Sequence, residues 1–466
     1  MPLLDTADPR PVHFVGVAGA GMSGLAELFV RRGVGVTGCD ANLGEAGDLR
    51  RLGIELREGH DPAHVTDARA VVVTSAVSAD HPELRRAREL GIPVVRRAEA
   101  LGEAVAGGRV VAVAGTHGKT TTTTMTTEAL EAAGLSPTGI TGGRVSAWNG
   151  NLRYGGNSLF VVEADEYDRS FLALTPTVAV VTSVEADHLD IYRDFADIVD
   201  TFQQFLRPAQ VVVRCFDDEG ARSLMLPPDA DSIAYGVTEP HAKLAEGVSR
   251  LVARAVHNTE EGSHFEAWMN GSHLVDVQLR VHGLHNVRNA LAALASGISL
   301  GAPAAGLAAG LARFAGVQRR FQRVGAAGGI IIIDDYAHHP TEIRATLAAA
   351  RAAFPGRRII AAFQPHLYSR TRDFASEFGI ELAAADVLLL ADIYPAREKP
   401  IEGVDSGLIA RSARGAGRDP YWMGSRGLLA DALAGVVHEG DVVLTMGAGD
   451  ITRTGGELLQ RLTGES

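Results

Sequence analysis

Short runs of branched apolar residues recur along the chain. Each ends in a turn rich in glycine or acid, and an amphipathic stretch follows. Strands buried on both faces read as continuous apolar runs, and parallel strands need long crossovers, usually helices. This alternation therefore predicts α/β architecture with parallel sheets. Near the N-terminus, 12–17, 34–39, 70–74 and 93–95 read as strands, with helices over 23–32 and 82–90. Gly107-Gly108 reads as a linker before a strand over 109–114. Strands at 158–162 and 178–182 and a helix over 196–206 follow. Between 232 and 280 the pattern changes to alternating short strands, as at 264–269 and 275–280, and a helix over 286–300 closes the block. Beyond a boundary near 319–323 the α/β pattern returns, with strands at 330–334, 359–363, 387–390 and 442–446 and helices over 340–354 and 425–437.

At about 100–200 residues per domain, 466 residues suit three. The expected boundaries are 1–107, 108–321 and 322–466. A net charge of -12 argues against nucleic acid as a principal partner, because phosphate backbones recruit basic surfaces. Cys39 and Cys215 alone supply no disulfide framework, which suits a reducing compartment. No apolar run reaches membrane-spanning length, and residues 1–10 lack the plan of a signal peptide. The expectation is a cytoplasmic chain without membrane insertion, a monomer or weak homodimer.

The first motif is Gly19-x-Gly21-x-x-Gly24, between the first strand and the first helix. Glycines there permit a tight turn and close backbone approach, and a helix N-terminus favours a pyrophosphate. Asp40 ends the next strand, where an acid can receive a ribose hydroxyl. NAD, FAD and UDP-sugars all offer such a diphosphate.

The second motif is Gly115-Thr116-His117-Gly118-Lys119-Thr120, again between strand and helix. Backbone amides can cradle phosphates, Lys119 can neutralise them, and the Thr120 hydroxyl can ligate Mg²⁺. Val113 stands where the longer form of this loop has glycine. Only three lysines occur, Lys119, Lys243 and Lys399, so a lysine here stands out. The threonines 120–124 are poor helix formers, a cost that a bound phosphate could offset.

Two acidic clusters follow strands of the same block, Glu163-Ala164-Asp165-Glu166 and Glu185-Ala186-Asp187-His188. Carboxylates at the carboxyl edge of a parallel sheet can hold Mg²⁺ against ATP, with His188 a further ligand. In the last block, Asp334-Asp335-Tyr336-Ala337-His338-His339-Pro340 and Phe363-Gln364-Pro365-His366-Leu367-Tyr368-Ser369-Arg370 each follow a strand. Such clusters suit a small polar molecule bearing a carboxylate. His338-His339 could suggest zinc, but no convincing third and fourth ligands accompany it.

In this order, together with Gly283-Leu284-His285-Asn286-Val287-Arg288-Asn289, these motifs resemble the Mur ligases over nearly the whole chain. The resemblance implies an N-terminal Rossmann-like domain for a UDP-sugar, a central P-loop-type ATPase domain, and a C-terminal Rossmann-like domain that closes over them with the amino acid. Gly-Met-Ser-Gly (21–24) and Phe-Gln-Pro-His (363–366) favour the member that joins L-alanine to UDP-N-acetylmuramate. The implied chemistry is transfer of the ATP γ-phosphoryl to the lactyl carboxylate, then attack of the alanine amine on the acyl phosphate.

By the same resemblance, Gly19, Ala20, Gly21, Met22, Ser23, Asp40 and Ser75 contact the UDP-sugar. Gly115 to Thr121, with Thr116, His117, Gly118, Lys119 and Thr120 between them, cradle ATP, and His285, Asn289, Arg320 and Asp335 complete its site. Thr120, Glu163 and His188 hold Mg²⁺. Tyr336, His338, His366 and Arg370 take the amino acid. Lys119, His188, His338 and Arg370 carry the catalytic roles. Leu367, Tyr167 and Arg169 depart from the family pattern, and no lysine occurs between 188 and 207 to serve as a carbamylated metal ligand. A nicotinamide-dependent dehydrogenase would leave the Lys119 loop unused. An ATP switch would leave the outer domains idle. A sibling ligase for another amino acid is the nearer alternative.

Overall fold

The computed structural model describes residues 2–44, 46–188, 191–238, 247–259, 261–396 and 398–464. It contains three sheets. The first has five parallel strands in the order Glu55–Glu58, Val36–Asp40, Val12–Val15, Ala70–Val73, Val94–Arg96. Its register pairs His13 with Thr37 and Val15 with Cys39, so alternate residues share a face. Val12 and Phe14 face the helix Ala20–Arg31 in one core, while Val15 and Cys39 pack with Val65, Leu84 and Ala87 on the other.

The second sheet has ten strands. Its parallel centre runs Asp231–Gly236, Val211–Cys215, Val178–Val181, Arg109–Ala114, Leu159–Glu163 and Thr138–Val145. Gly150–Arg153 adds an antiparallel edge, and Val248–Thr259, Gly262–Met269 and Ser272–Leu279 extend the other side. The third sheet orders Gln322–Ala327, Ile330–Asp335, Val442–Met446, Ile359–Phe363, Val387–Ala391 and Trp422–Gly424, antiparallel only at its first pair.

The chain forms two compact units. One takes residues 1–256, 265–278 and 287–315; the other takes 257–264, 279–286 and 316–466. Among the described residues no helix is long and apolar enough to cross a membrane.

Every strand named from the sequence forms, within one to three residues at its ends. Strands too polar or too glycine-rich to read as apolar runs went unrecognised, such as Glu55–Glu58 and Thr138–Val145. The helix Lys119–Ala132 forms despite its threonines. Thr120 to Thr124 are all buried, and the hydroxyls of Thr124 and Thr127 donate to the carbonyls of Thr120 and Thr123. Tertiary burial, with the hydroxyls of Thr120, Thr122, Thr124 and Thr127 paired and those of Thr123 and Thr126 left without a hydrogen bond, here outweighs a propensity cost of a few tenths of a kcal/mol per residue.

Candidate active site

In the first unit, the strand Arg109–Ala114 feeds the loop 115–118, and the helix Lys119–Ala132 begins immediately after it. Gly115 and Gly118 have φ of 138° and 80°, which side chains strongly disfavour. A Cβ on Gly115 would strike the Thr182 hydroxyl, and one on Gly118 would lie 2.6 Å from Asn289 Oδ1. The loop is tied to the next strand end. Thr116 and His117 amides donate to the Ser183 carbonyl and hydroxyl at 3.0 Å each, and the Glu185 amide donates to the Thr116 hydroxyl at 2.9 Å. Thr122 donates to Asn289 Oδ1 at 3.1 Å, so Asn289 buttresses the loop from behind.

Lys119 Nζ reaches both oxygens of Glu166, at 2.9 and 2.8 Å, and the Gly115 carbonyl at 2.7 Å. Burial alone would lower its pKa, but the carboxylates of Glu166, Asp165 and Glu163 outweigh burial and raise it. Lys119 therefore stays cationic while shielded from water. Burial likewise pushes Glu166 up, against the pull of Lys119. The sequence reading put Glu166 in an acidic cluster without giving it a partner; the rarity of lysine was the signal that could have paired them.

Thr120 donates to Glu163 Oε1 at 3.0 Å, and the Gly142 amide donates to Glu163 Oε2 at 2.6 Å. A hydroxyl and a carboxylate thus converge beside the loop 115–118, the hard oxygen donors Mg²⁺ takes. His188 lies at φ 54°, and its Nε2 approaches Glu166 at 3.7 Å and Asp187 at 3.8 Å. Tyr167 packs edge-on against the His188 ring at 5.1 Å. Arg169 is committed to the helix Phe195–Leu206, donating to both oxygens of Asp197 at 2.9 Å and to Thr201 at 2.8 Å. Two of the family departures are thereby explained as local packing of this loop.

The glycine loop of the first sheet is built more sparsely. Gly19 precedes the helix Ala20–Arg31 with no side-chain cap. Asp40 Oδ2 accepts from the Ala18 amide at 3.0 Å, and its Oδ1 accepts from Asn42 at 3.2 Å, so the acid closes the loop. Ser23 donates to the Ala20 carbonyl at 3.0 Å. Met22 is buried in the core, and Ser75 lies exposed in the turn after Ala70–Val73. A Cβ on Gly21 would lie 2.9 Å from Arg97 Nη1. Arg97 thus lays a guanidinium over the loop, a contact invisible in sequence because it joins elements far apart. A Cβ on Gly24 would meet the side chain and carbonyl of Asn151 at 3.3 Å, so the third glycine lets the edge strand Gly150–Arg153 approach.

In the second unit, Asp335 is buried, and accepts from the Phe321 and Ala337 amides at 2.7 and 2.8 Å. Burial pushes its carboxyl up to about 6, against the pull of Arg320. Arg319 and Arg320 lie over the Tyr336 ring at 4.7 and 5.2 Å, and Arg320 approaches Glu342 at 3.5 Å. His338 Nδ1 lies 3.0 Å from the Tyr336 carbonyl and 3.1 Å from Glu342. His366 stacks on Tyr394 at 5.8 Å and sits 6.3 Å from the His338 ring. Burial, then His338 and Arg370, push it down to about 4. Leu367 takes φ 70°, donating its amide to the Tyr394 carbonyl at 3.0 Å, and Arg370 follows in the first turn of Tyr368–Leu382. His285 packs on Gly283.

Three family models match in succession: the Mur ligase family catalytic domain over 11–109, the Mur ligase middle domain over 113–297, and the Mur ligase glutamate ligase domain over 319–449. A UDP-N-acetylmuramate–L-alanine ligase of Streptomyces avermitilis is 44% identical, covering 99% of both chains. One from Paenarthrobacter aurescens is 45% identical over 97% of each. The solved UDP-N-acetylmuramate-alanine ligase of Thermotoga maritima is 29% identical, with a TM-score of 0.81 over 98% of this chain and all of that one. The succession of family models and the full-length likeness agree, and the chain belongs to the Mur ligase family.

Proposed function

We propose that the chain joins L-alanine to the lactyl carboxylate of UDP-N-acetylmuramate in peptidoglycan synthesis, converting ATP to ADP and phosphate. The observation that carries this reading is the 44% identity across 99% of the chain to a ligase of that name. A carboxylate is a poor electrophile, and its oxygen is a poor leaving group. Phosphorylation corrects both: the carboxylate oxygen bonds the γ-phosphorus as the bond to ADP breaks. The alanine amine then attacks the acyl carbon, and phosphate leaves.

Two anions must first be brought together, so fixed positive charge is the main demand on the protein. Lys119 meets it from the phosphate loop, once a phosphate replaces Glu166 as its partner. Thr120 and Glu163 fit Mg²⁺, with His188 a further ligand; the ion supplies charge neutralisation and orients the phosphates. Gly115, Thr116, His117, Gly118 and Thr121 complete the cradle. Asn289 serves ATP by bracing Gly118. Gly19, Ala20, Gly21, Met22, Ser23, Asp40 and Ser75 serve the UDP-sugar, with Arg97 added as a cation beside its diphosphate.

Asp335, Arg320 and His285 are assigned to ATP. Tyr336, His338, His366 and Arg370 are assigned to alanine, Arg370 facing its carboxylate. The partners of His338 Nδ1 hold a proton there, which leaves Nε2 as the lone pair able to take one from the alanine ammonium. Water can take that proton too. The chain acts as a monomer or weak homodimer.

The test is phosphate release from ATP across single amino acids. Release requiring both UDP-N-acetylmuramate and L-alanine supports the reading. Release with a different amino acid reassigns the specificity, and release indifferent to both leaves only an ATPase.

A further inference from the structure

The first sheet carries a second cluster of reactive side chains, on the face away from the helix Ala20–Arg31. His13 and Cys39 project there from adjacent strands, in a register that pairs His13 with Thr37 and Val15 with Cys39. His64 comes from the short helical turn Pro62–Val65, and Glu83 from the first turn of Pro82–Glu89. One ligand atom from each of His13, Cys39, His64 and Glu83 lies within 4.8 Å of the others. Cys39 Sγ is 3.0 Å from Glu83 Oε2, and His64 Nδ1 is 2.7 Å from Glu83 Oε1. His60 adds Nδ1 at 3.3 Å from Cys39 Sγ, and His81 Nδ1 lies 3.9 Å from Glu83.

Three features separate this cluster from an ordinary buried network. His13 is wholly buried, Thr37 holds its Nδ1 at 2.9 Å, and its Nε2 has no hydrogen-bond partner. His81 Nδ1 is buried and unpartnered as well. A buried polar atom without a partner costs about 1–3 kcal/mol, and two beside one carboxylate need a reason. The donors are two imidazoles, a thiol and a carboxylate, a set suited to zinc. Thiolate and carboxylate together carry two negative charges, so a divalent cation would leave the buried site neutral. Exposure is graded: the side chains of His60, His81 and His64 are 29%, 15% and 13% exposed, and that of Glu83 is 0%. The outer histidines therefore line a path inward.

We propose that His13, Cys39, His64 and Glu83 form a closed four-ligand zinc site that stabilises the N-terminal sheet, with His60 and His81 guiding the ion in. A tetrahedral zinc sets its ligand atoms roughly 3.3–3.8 Å apart. The cluster spans that spacing, from 2.7 Å for its closest pair to a bound of 4.8 Å for its widest. Binding displaces the Cys39 thiol proton to water. All four positions are filled by protein, so the ion has no coordination site open to substrate and its role is structural.

The experiment loads the full-length chain with zinc chloride, removes free metal by gel filtration and counts zinc by mass spectrometry. The expected result is about one zinc per chain, reduced ~10-fold or more in Cys39→Ser and in His64→Gln. Loading with cobalt instead should give a thiolate-to-cobalt absorption band that Cys39→Ser removes and Cys215→Ser keeps. The wild-type spectrum decides the matter even where a variant fails to fold. Zinc well below stoichiometric in the wild type, zinc unchanged in both variants, or a cobalt spectrum lacking the thiolate band would each overturn the site.

Discussion

The two glycine loops of the first unit share one plan, strand then glycine turn then helix, yet they are held in different ways. The loop 115–118 is locked by side chains: Thr182, Ser183, Asn289 and the Lys119–Glu166 pair. The loop at Gly19 is closed by one acid, Asp40, and held lightly besides, by the Ser23 hydroxyl on the Ala20 carbonyl and by Arg97 laid over Gly21. A site that must hold a reacting phosphoryl concentrates its charge in one cation and fixes it rigidly. A site that only anchors a diphosphate spreads the work over amides and a helix end. The first design should be sensitive to deleting a side chain, the second much less so.

Lys119→Ala is the largest way to break this contrast. Turnover should fall by about 10³-fold or more, while UDP-sugar affinity, measured by calorimetry, stays near the wild-type value. Strong residual turnover would sink the assignment of charge to that loop.

Asp335 extends the contrast to a third loop, closed by an acid that is buried where Asp40 is half-exposed. Its folded pKa of about 6 lies above the ordinary aspartate value of 3.8, so the folded state binds the extra proton between these values. Its contribution to stability is full below about pH 4 and is lost as pH rises through 6, by about 3 kcal/mol at most. Asp335→Asn should flatten the dependence of unfolding free energy on pH in that window. An unchanged slope in denaturant titrations would assign the window to other groups.

Arg370→Ala should raise the alanine KM by ~30-fold, or about 2 kcal/mol, with little change for ATP; an equal rise for both would move the carboxylate site. Glu163→Gln should raise the Mg²⁺ needed for half-maximal rate by about 10-fold, and an unaltered titration would remove it from the ion. Ser23→Ala is the mildest. Its hydroxyl serves the Ala20 carbonyl, so the UDP-sugar KM should change by only about 2–3-fold, the worth of a single exposed hydrogen bond. A change as large as that for Lys119 would erase the contrast between the loops.

The parallel sheets and both loops were legible in the sequence because buried strands write themselves as apolar runs and glycine turns as fixed spacings. Glu55–Glu58 was not, since an edge strand alternating charge with one leucine has no apolar signature. Contacts between distant segments were equally silent. Nothing around residue 97 announces that Arg97 lies over Gly21, or around 166 that Glu166 holds Lys119. The departures at Tyr167 and Arg169 are silent in the same way, because their partners Asp197, Thr201 and His188 lie some twenty or more residues along the chain.

The close approach of Gly24 to Asn151 has a consequence for the cost of catalysis. The loop assigned to the sugar nucleotide and the loop assigned to ATP belong to one compact unit, and the bare face of Gly24 lets the helix of the first loop approach the edge strand Gly150–Arg153 of the second loop's sheet. Bringing two reactants into line ordinarily consumes translational and rotational entropy at the moment of binding. Under the proposed assignments, part of that ordering is spent when the chain folds, before either substrate arrives. A side chain at residue 24 would return the cost to every turnover.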